Sequence, residues 1–375
     1  MSTRLLRLGR IGLFVAAGAC ASICMAGYLT PAIHVPVPGG WRQHDARRPK
    51  PPVVEPGRAL TESSAPADAV VLFGGKNLNA WKSADGGKAA WKVSDGVFQV
   101  SPGAGAIQTK DSFGDVQLHV EWASPNPPRG KGQDRGNSGI FLMGKFELQV
   151  LDSYQAATYA DGQAGALYGQ YPPLYNATRP PGEWQAYDIA FRAPRYEDGP
   201  SGGLKEPARM TVFLNGVLVQ DNEALTGYTS WLAAVPYGGD VRGPIQLQDH
   251  GHPVRYRNIW LRKLPERPAA TAEQRRESKI VELPEADLDA LAGAYASGTD
   301  PHAMRVTMTK VDKGLEIKLS FRPNPIRIVP VSSTRFEFPY TDGDFEFQKD
   351  AEGRVTGVKM RVGDGGQSLL TKVKP

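Results

Sequence analysis

Three alternating stretches of the chain carry side chains that could move protons or grip hydroxyl groups. In DVQLHVEW, Gln117, His119 and Glu121 share one parity, against Val116, Leu118, Val120 and Trp122. In KFELQVLD, Glu147 and Gln149 oppose Phe146, Leu148 and Val150. Asp152 has the parity of the apolar side and needs a bulge or a strand end to turn it outward. In PIQLQDH, Gln246, Gln248 and His250 oppose Ile245 and Leu247. Side chains alternate across a strand, so each stretch presents one apolar and one polar face. A merely solvated face usually carries lysine, threonine, serine and mixed charge. These carry carboxylates, amides and imidazoles, the inventory of a groove that pairs with sugar hydroxyls. Glu121, Glu147 and Gln149 are therefore expected on one concave face, with an exposed sheet face as the other reading.

Two glycine-rich loops add to this set. PNPPRGKGQDRGNSG carries Arg129, Lys131, Arg135 and Asn137. It reads either as a flexible surface loop or as one that brings Arg135 and Asn137 over the groove. DGQAGALYGQYPPLYN reads either as a loop packed on its own aromatics or as a rim wall with Gln163 and Tyr168 pointing inward. Trp91, Trp184, Tyr168 and Tyr171 are candidates to stack on a sugar ring.

The elements that must position these residues are strands. From Ala69 to about Leu264, short apolar alternations recur between turn signals, with Asp95-Gly96 and Asn215-Gly216 as two-residue hairpin turns. Few helical periods interrupt them. The expected fold is all-β: a jelly-roll β-sandwich over 69–264, then a charged linker over 265–283. A small antiparallel β domain follows over 284–375, opened by a short helix in ELPEADLDALAGAYAS. Residues 1–27, with Arg4, Arg7 and Arg10 before an apolar, alanine-rich run, read as a signal peptide or a membrane anchor. The protein is accordingly expected in the periplasm or outside the cell, with any membrane association confined to that segment. Both cysteines, Cys20 and Cys24, fall inside it. The proline-rich stretch over 28–68 reads as an extended spacer, in which His34, Trp41 and His44 are given no role. A net charge of +5 without a basic block beyond the N-terminus gives no support to a nucleic-acid partner.

Several long segments resemble the 3-keto-disaccharide hydrolase family. They are LFGGKNLNAWK, WKVSDGVFQVSPGAGAIQTKDSFGDVQLHVEW, GKGQDRGNSGIFLMGKFELQVLDSY, DGQAGALYGQYPPL and GEWQAYDIAFRAPR. PIQLQDHGHPVRYRNIWLRKL looks like the family's closing strands, so the resemblance runs from Val71 to Leu264. It implies a concanavalin-like sandwich, an exported bacterial protein and activity on small glycosides oxidised at C3 of the sugar. The tail from about Leu283 resembles a small β domain found after some secreted hydrolase domains. The fold is also similar to that of sandwich glycosidases with E-x-D-x-x-E on one strand. Glu147 to Asp152 keeps that spacing, but Gln149 cannot ionise and Asp152 is shorter than glutamate. That departure argues against ordinary two-carboxylate hydrolysis on this strand.

The implied substrate changes the chemistry. The C2 proton of a 3-keto sugar is acidified by the adjacent carbonyl. A base removes it, the enolate expels the C1 oxygen, and water can add afterwards. Glu121 or His119 is a candidate base, and His250 or Glu147 a candidate acid for the leaving group. Arg135, or a divalent cation held by His119 and Glu121, would stabilise the oxyanion. Asn137, Gln149, Asp152, Gln163, Tyr168, Gln248 and His250 would hold the sugar. Each residue also has a plainer reading: His119 bonded within a polar face, Asp152 and Asp249 capping backbone amides, Arg135 paired with Asp152 or Glu147. A non-catalytic carbohydrate-binding protein is the alternative to an enzyme, because sandwiches serve both roles.

Overall fold

The computed structural model describes residues 37–57, 64–232, 234–266, 271, 279–300, 302–322 and 324–373. The expected export segment, both cysteines and His34 lie outside these residues. The chain forms two compact units, divided between Glu266 and Arg267.

The first unit is built from strands β1 (Val70–Phe73), β2 (Trp81–Ser83), β3 (Lys92–Ser94), β4 (Val97–Gln99), β5 (Ile107–Thr109), β6 (Val116–Ala123), β7 (Ser138–Leu142) and β8 (Phe146–Val150). It continues with β9 (Gln185–Arg192), β10 (Arg195–Tyr196), β11 (Leu204–Glu206), β12 (Arg209–Leu214), β13 (Val217–Ala224), β14 (Gln246–Leu247) and β15 (Arg255–Lys263). The larger sheet runs β13-β12-β9-β6-β15-β4-β3, with β1 also paired to β15. The smaller runs β2-β5-β14-β7-β8. The ladders between them are antiparallel, and β8 is the last strand of its sheet.

Local chemistry explains the hairpins. Asp95 and Gly96 have φ of 53° and 76°, and Asn215 and Gly216 have 53° and 81°. Two successive left-handed residues are the backbone of the tight turn that matches strand twist, and Asp-Gly and Asn-Gly tolerate it best. The apolar parities of both sheets then meet in one core. Phe98, Phe146, Tyr187 and Tyr256 are wholly buried, and Trp122 nearly so. Side chains of this size each contribute about 1.5–3 kcal/mol on burial.

The proline-rich segment departs from the spacer expected of it. Residues 37–57 lie on the first unit. The Asn176 N–H donates to the Pro52 carbonyl at 2.9 Å, and the Val54 N–H donates to the Asn176 carbonyl at 3.0 Å. Proline removes donors from this strap but leaves its carbonyls free to accept, so it docks by single contacts and not as a sheet strand.

The second unit opens with helix α1 (Glu285–Leu291) and then closes eight strands into a barrel. The first, β16 (Gly293–Ala296), pairs with both β17 (Arg305–Val311) and the last, β23 (Ser368–Val373). Ile317, Phe336, Phe345, Val358 and Leu370 fill its interior, each wholly buried. Closure removes the open edges a small sheet would otherwise expose.

Candidate active site

The site is built on β8. Phe146, Leu148 and Val150 point into the core, so Glu147 and Gln149 point out of the sandwich. They are nevertheless only 5% and 1% exposed, because two loops cover that face. The loop from Ser153 to Asn176 continues the sheet beyond β8. The Gln149 N–H donates to the Ala166 carbonyl at 3.0 Å, and the Gly165 and Tyr168 N–H groups donate to the Gln149 and Glu147 carbonyls at 3.1 Å. From the second loop, Thr229 Oγ1 accepts the Glu147 N–H at 2.9 Å. A cavity of about 210 Å³ remains between strand and loops, lined by Asn137, Glu147, Gln149, Tyr168, Gln248 and His250, with Phe141 and Thr229 to Trp231 at its margins. A Cβ at Gly139 would collide with the Glu147 carboxylate, which would have to leave its present position beside any residue but glycine.

Burial pushes the Glu147 carboxyl from the usual 4.5 up to about 8. No arginine or lysine lines the cavity to offset the desolvation. The amides around it are oriented by a chain of contacts. Gln133 Nε2 donates to the Gly162 carbonyl at 2.8 Å, a partner that can only accept, and so fixes which way the Gln133 amide faces. Gln133 Oε1 then accepts from Gln149 Nε2 at 2.9 Å, and the Gln133 carbonyl accepts from Asn137 Nδ2 at 2.8 Å. One N–H of each of these two amides is thereby engaged. The buried Asn137 Oδ1, Gln149 Oε1 and Gln248 Oε1 have no partner among the described residues. A buried polar atom without a partner is costly, about 1–3 kcal/mol. Three acceptors lining one cavity beside a protonatable carboxyl form a receptor for hydroxyl donors. Tyr168 closes one side, its hydroxyl bonded to that of Tyr159 at 2.7 Å.

The expected single face does not exist: the structure separates Glu121 and His119 from Glu147 and Gln149. β6 lies inside the larger sheet, between β9 and β15, and β8 at the end of the smaller one. Parity turns both polar sets away from the core, and so to opposite outer faces of the sandwich. Glu121 Oε2 accepts from Arg257 Nε at 2.7 Å and its Oε1 from Asn258 Nδ2 at 2.8 Å. His119 stacks on Trp260 with ring centroids 5.1 Å apart, and its Nδ1 lies 2.7 Å from Asp188. Burial lowers the His119 pKa, but Asp188 and Glu121 outweigh it and push it up to about 9. His119 is thus an imidazolium at neutral pH and cannot accept a proton. The pair is also a poor cation site, because its oxygens and ring nitrogens are already engaged. Among the described residues no cluster of three or more His, Cys, Asp or Glu is arranged to hold a metal ion.

Arg135 is likewise diverted. Its Nε donates to Asp152 Oδ2 at 2.7 Å, and Asp152, just past the end of β8, is 3% exposed. Neither lines the cavity. Gln163 borders a different hollow, beside Lys50, Ser153 and Thr178. Asn137, Gln149, Tyr168, Gln248, His250 and Glu147 are brought together as the sequence suggested. Thr229, Ser230 and Trp231 were missed, since GYTSW has neither alternation nor a charged side chain to mark it. A larger open cleft of about 700 Å³ is lined by Lys76, Lys88 and Lys110 beside Trp91, with no carboxylate or imidazole to pair with them.

A two-sheet sandwich with a buried carboxyl in a cavity lined by unpartnered amide oxygens is the frame in which the relatives are compared. The chain belongs to the family of 3-keto-alpha-glucoside-1,2-lyase-like domains, which matches residues 68–262. A curated relative, the 3-keto-disaccharide hydrolase of Bacteroides thetaiotaomicron, is 24% identical over 245 residues, 53% of this chain and 80% of that protein. A crystal structure from Parabacteroides distasonis, called a "putative glycosyl hydrolase", is 48% identical with a TM-score of 0.53. The match covers 58% of this chain and 93% of that one. The family and its relatives support a glycosidase-like, carbohydrate-directed function.

Proposed function

We propose that the protein cleaves the glycosidic bond of small 3-keto-glycosides by elimination, with the Glu147 carboxylate as the base. The observation that carries the reading is Glu147 itself, a buried carboxyl with a pKa of about 8 among unpartnered amide oxygens. A carboxylate raised this far is a stronger base than an ordinary one, and its pKa lies near operating pH. In the proposed step Glu147 takes the C2 proton, which the C3 carbonyl acidifies. The C2–H electron pair forms the C1–C2 double bond and the C1–O bond breaks. The leaving oxygen takes a proton from His250, the other titratable side chain besides Tyr168 lining the cavity. Water adding to the double bond afterwards gives net hydrolysis. Asn137, Gln149 and Gln248 accept hydrogen bonds from the sugar hydroxyls and hold C2 toward Glu147.

This assignment replaces Glu121 and His119 as base and Arg135 as oxyanion partner, because none of the three lines the cavity. The basic and apolar order of residues 1–27 supports an exported protein, which a fractionation of cells expressing the full chain tests. The decisive experiment is incubation with a 3-keto-glucoside and with its parent glucoside in deuterated buffer. Cleavage of the keto sugar alone, with solvent deuterium entering at C2, is expected. Cleavage of the parent sugar would overturn the elimination, and binding without cleavage would make the protein a carbohydrate binder.

A further inference from the structure

We propose that the N-terminal strap is part of the substrate site, and that Gln43 and His44 are positioning residues that set two walls of the cavity. The strap lies outside the stretch matched by the family, residues 68–262. The inference rests on the cavity being the sugar site.

One wall is the loop that carries Tyr168. At its base the acidic side chain of Asp161 is wholly buried. Among the described residues, its side-chain partners come from the strap. The His44 backbone N–H donates to Oδ2 at 2.9 Å and the Arg48 guanidinium lies 3.8 Å from the same oxygen, while Oδ1 and His44 Nδ1, 3.5 Å apart, have no hydrogen-bond partner among the described residues. A buried carboxyl oxygen left without a partner is costly, so this loop conformation is complete only with the strap in place. The His44 ring also packs on both tyrosines of the wall, with centroids 4.2 Å from Tyr159 and 5.0 Å from Tyr168.

The other wall is the loop that carries Thr229, Ser230 and Trp231. Gln43 Nε2 donates to the Ser230 carbonyl at 2.8 Å and to the Trp231 carbonyl at 3.0 Å. His44 Nε2 lies 2.8 Å from the same Trp231 carbonyl. A carbonyl only accepts, so that nitrogen carries the proton. The Gln43 amide also occupies the space that a Cβ at Gly169 would fill, in the Tyr168 loop. Two adjacent strap residues therefore bridge the two loops that face each other across the cavity. Thr229 is fixed to β8 and to the Lys145 carbonyl, but Trp231 is 69% exposed, so the bridge bears on Ser230 and Trp231.

The test uses the full chain with Gln43→Ala and His44→Ala, singly and together, assayed on a 3-keto-glucoside beside the wild type. Loss of the bridge is expected to raise KM about tenfold while kcat stays within about threefold, since these side chains orient walls and touch no reacting atom. His44→Gln, which can still present an N–H to the Trp231 carbonyl, is expected to recover part of that loss. Unchanged KM in the double variant would overturn the proposal. So would a loss of activity that only follows a lowered melting temperature, which would make the strap a stabiliser alone. Should the wild type cleave no keto sugar, the functional reading fails but the strap can still be judged. Amide hydrogen exchange over 159–170 and 228–232 should quicken in the double variant against the rest of the sandwich, and equal exchange would refute the bridge.

Discussion

Glu147→Gln should separate two consequences of one buried carboxyl. The folded protein holds the Glu147 proton up to about pH 8, whereas the unfolded chain releases it near 4.5. A raised folded pKa means a contribution that is complete below 4.5 and is lost as pH climbs through 8. At about 1.4 kcal/mol per pH unit, that interval corresponds to about 5 kcal/mol at pH 8 and above, and about 3 kcal/mol at pH 7. Glutamine has no such proton to lose. The variant should thus match the wild type at pH 4.5 and become progressively more stable than it toward pH 8, where the melting temperature should differ by on the order of 10 °C. Activity should move the other way. Loss of the base is expected to lower kcat by about 10²–10⁴ on a 3-keto-glucoside. Thermal unfolding at several pH values and initial rates on the same preparations provide both readouts. Wild-type turnover by the variant would remove Glu147 as the base. A stability gain that is the same at pH 5 and pH 8 would refute the account of its ionisation.

In His250→Gln, which lacks the proposed acid, the residual kcat/KM should rise to a plateau above about pH 8, as Glu147 ionises; a fall through that range would remove Glu147 as the base. Glu121→Gln should leave kcat within about threefold yet destabilise the fold by about 1–3 kcal/mol in urea titration, because Arg257 and His119 lose a carboxylate partner. Arg135→Ala leaves the Asp152 carboxylate buried without its guanidinium, so a loss of about 3–5 kcal/mol in the same measurement is expected, with turnover of the folded protein kept. Gly139→Ala pushes a methyl group against the Glu147 carboxylate and should slow turnover about tenfold or more; full activity would show that the carboxylate can sit elsewhere.

The sequence announces its strands and turns well because their signals are local. Asp95-Gly96 and Asn215-Gly216 dictate hairpins by backbone conformation alone, and parity correctly turned Glu147 and Gln149 away from Phe146 and Val150. Parity says which way a side chain leaves its own strand. It does not say in which sheet that strand lies. β6 pairs with β9 and with β15, so that His119 faces Asp188 across one ladder and Trp260 across the other, and those distant pairings sent Glu121 to the far side of the molecule. The strap was illegible for a similar reason. Its proline content breaks every periodicity, and its meaning lies in individual contacts such as His44 with Asp161, 117 residues away.

The sealing of β8 constrains how this site could change. β8 ends the smaller sheet, and an unpaired end of a sheet invites another chain to add itself there. The Gly165–Tyr168 segment occupies that position, taking up both backbone groups of Gln149 and the Glu147 carbonyl. One stretch of chain thus serves as substrate wall and as guard against self-association. Remodelling the wall to admit a bulkier sugar, by lengthening the loop or inserting proline near Ala166, would uncover the edge as well. Such variants should be limited by solubility before they are limited by catalysis, and altered specificity should be easier to reach from Ser230 and Trp231, whose carbonyls bond Gln43 and no strand of this sheet.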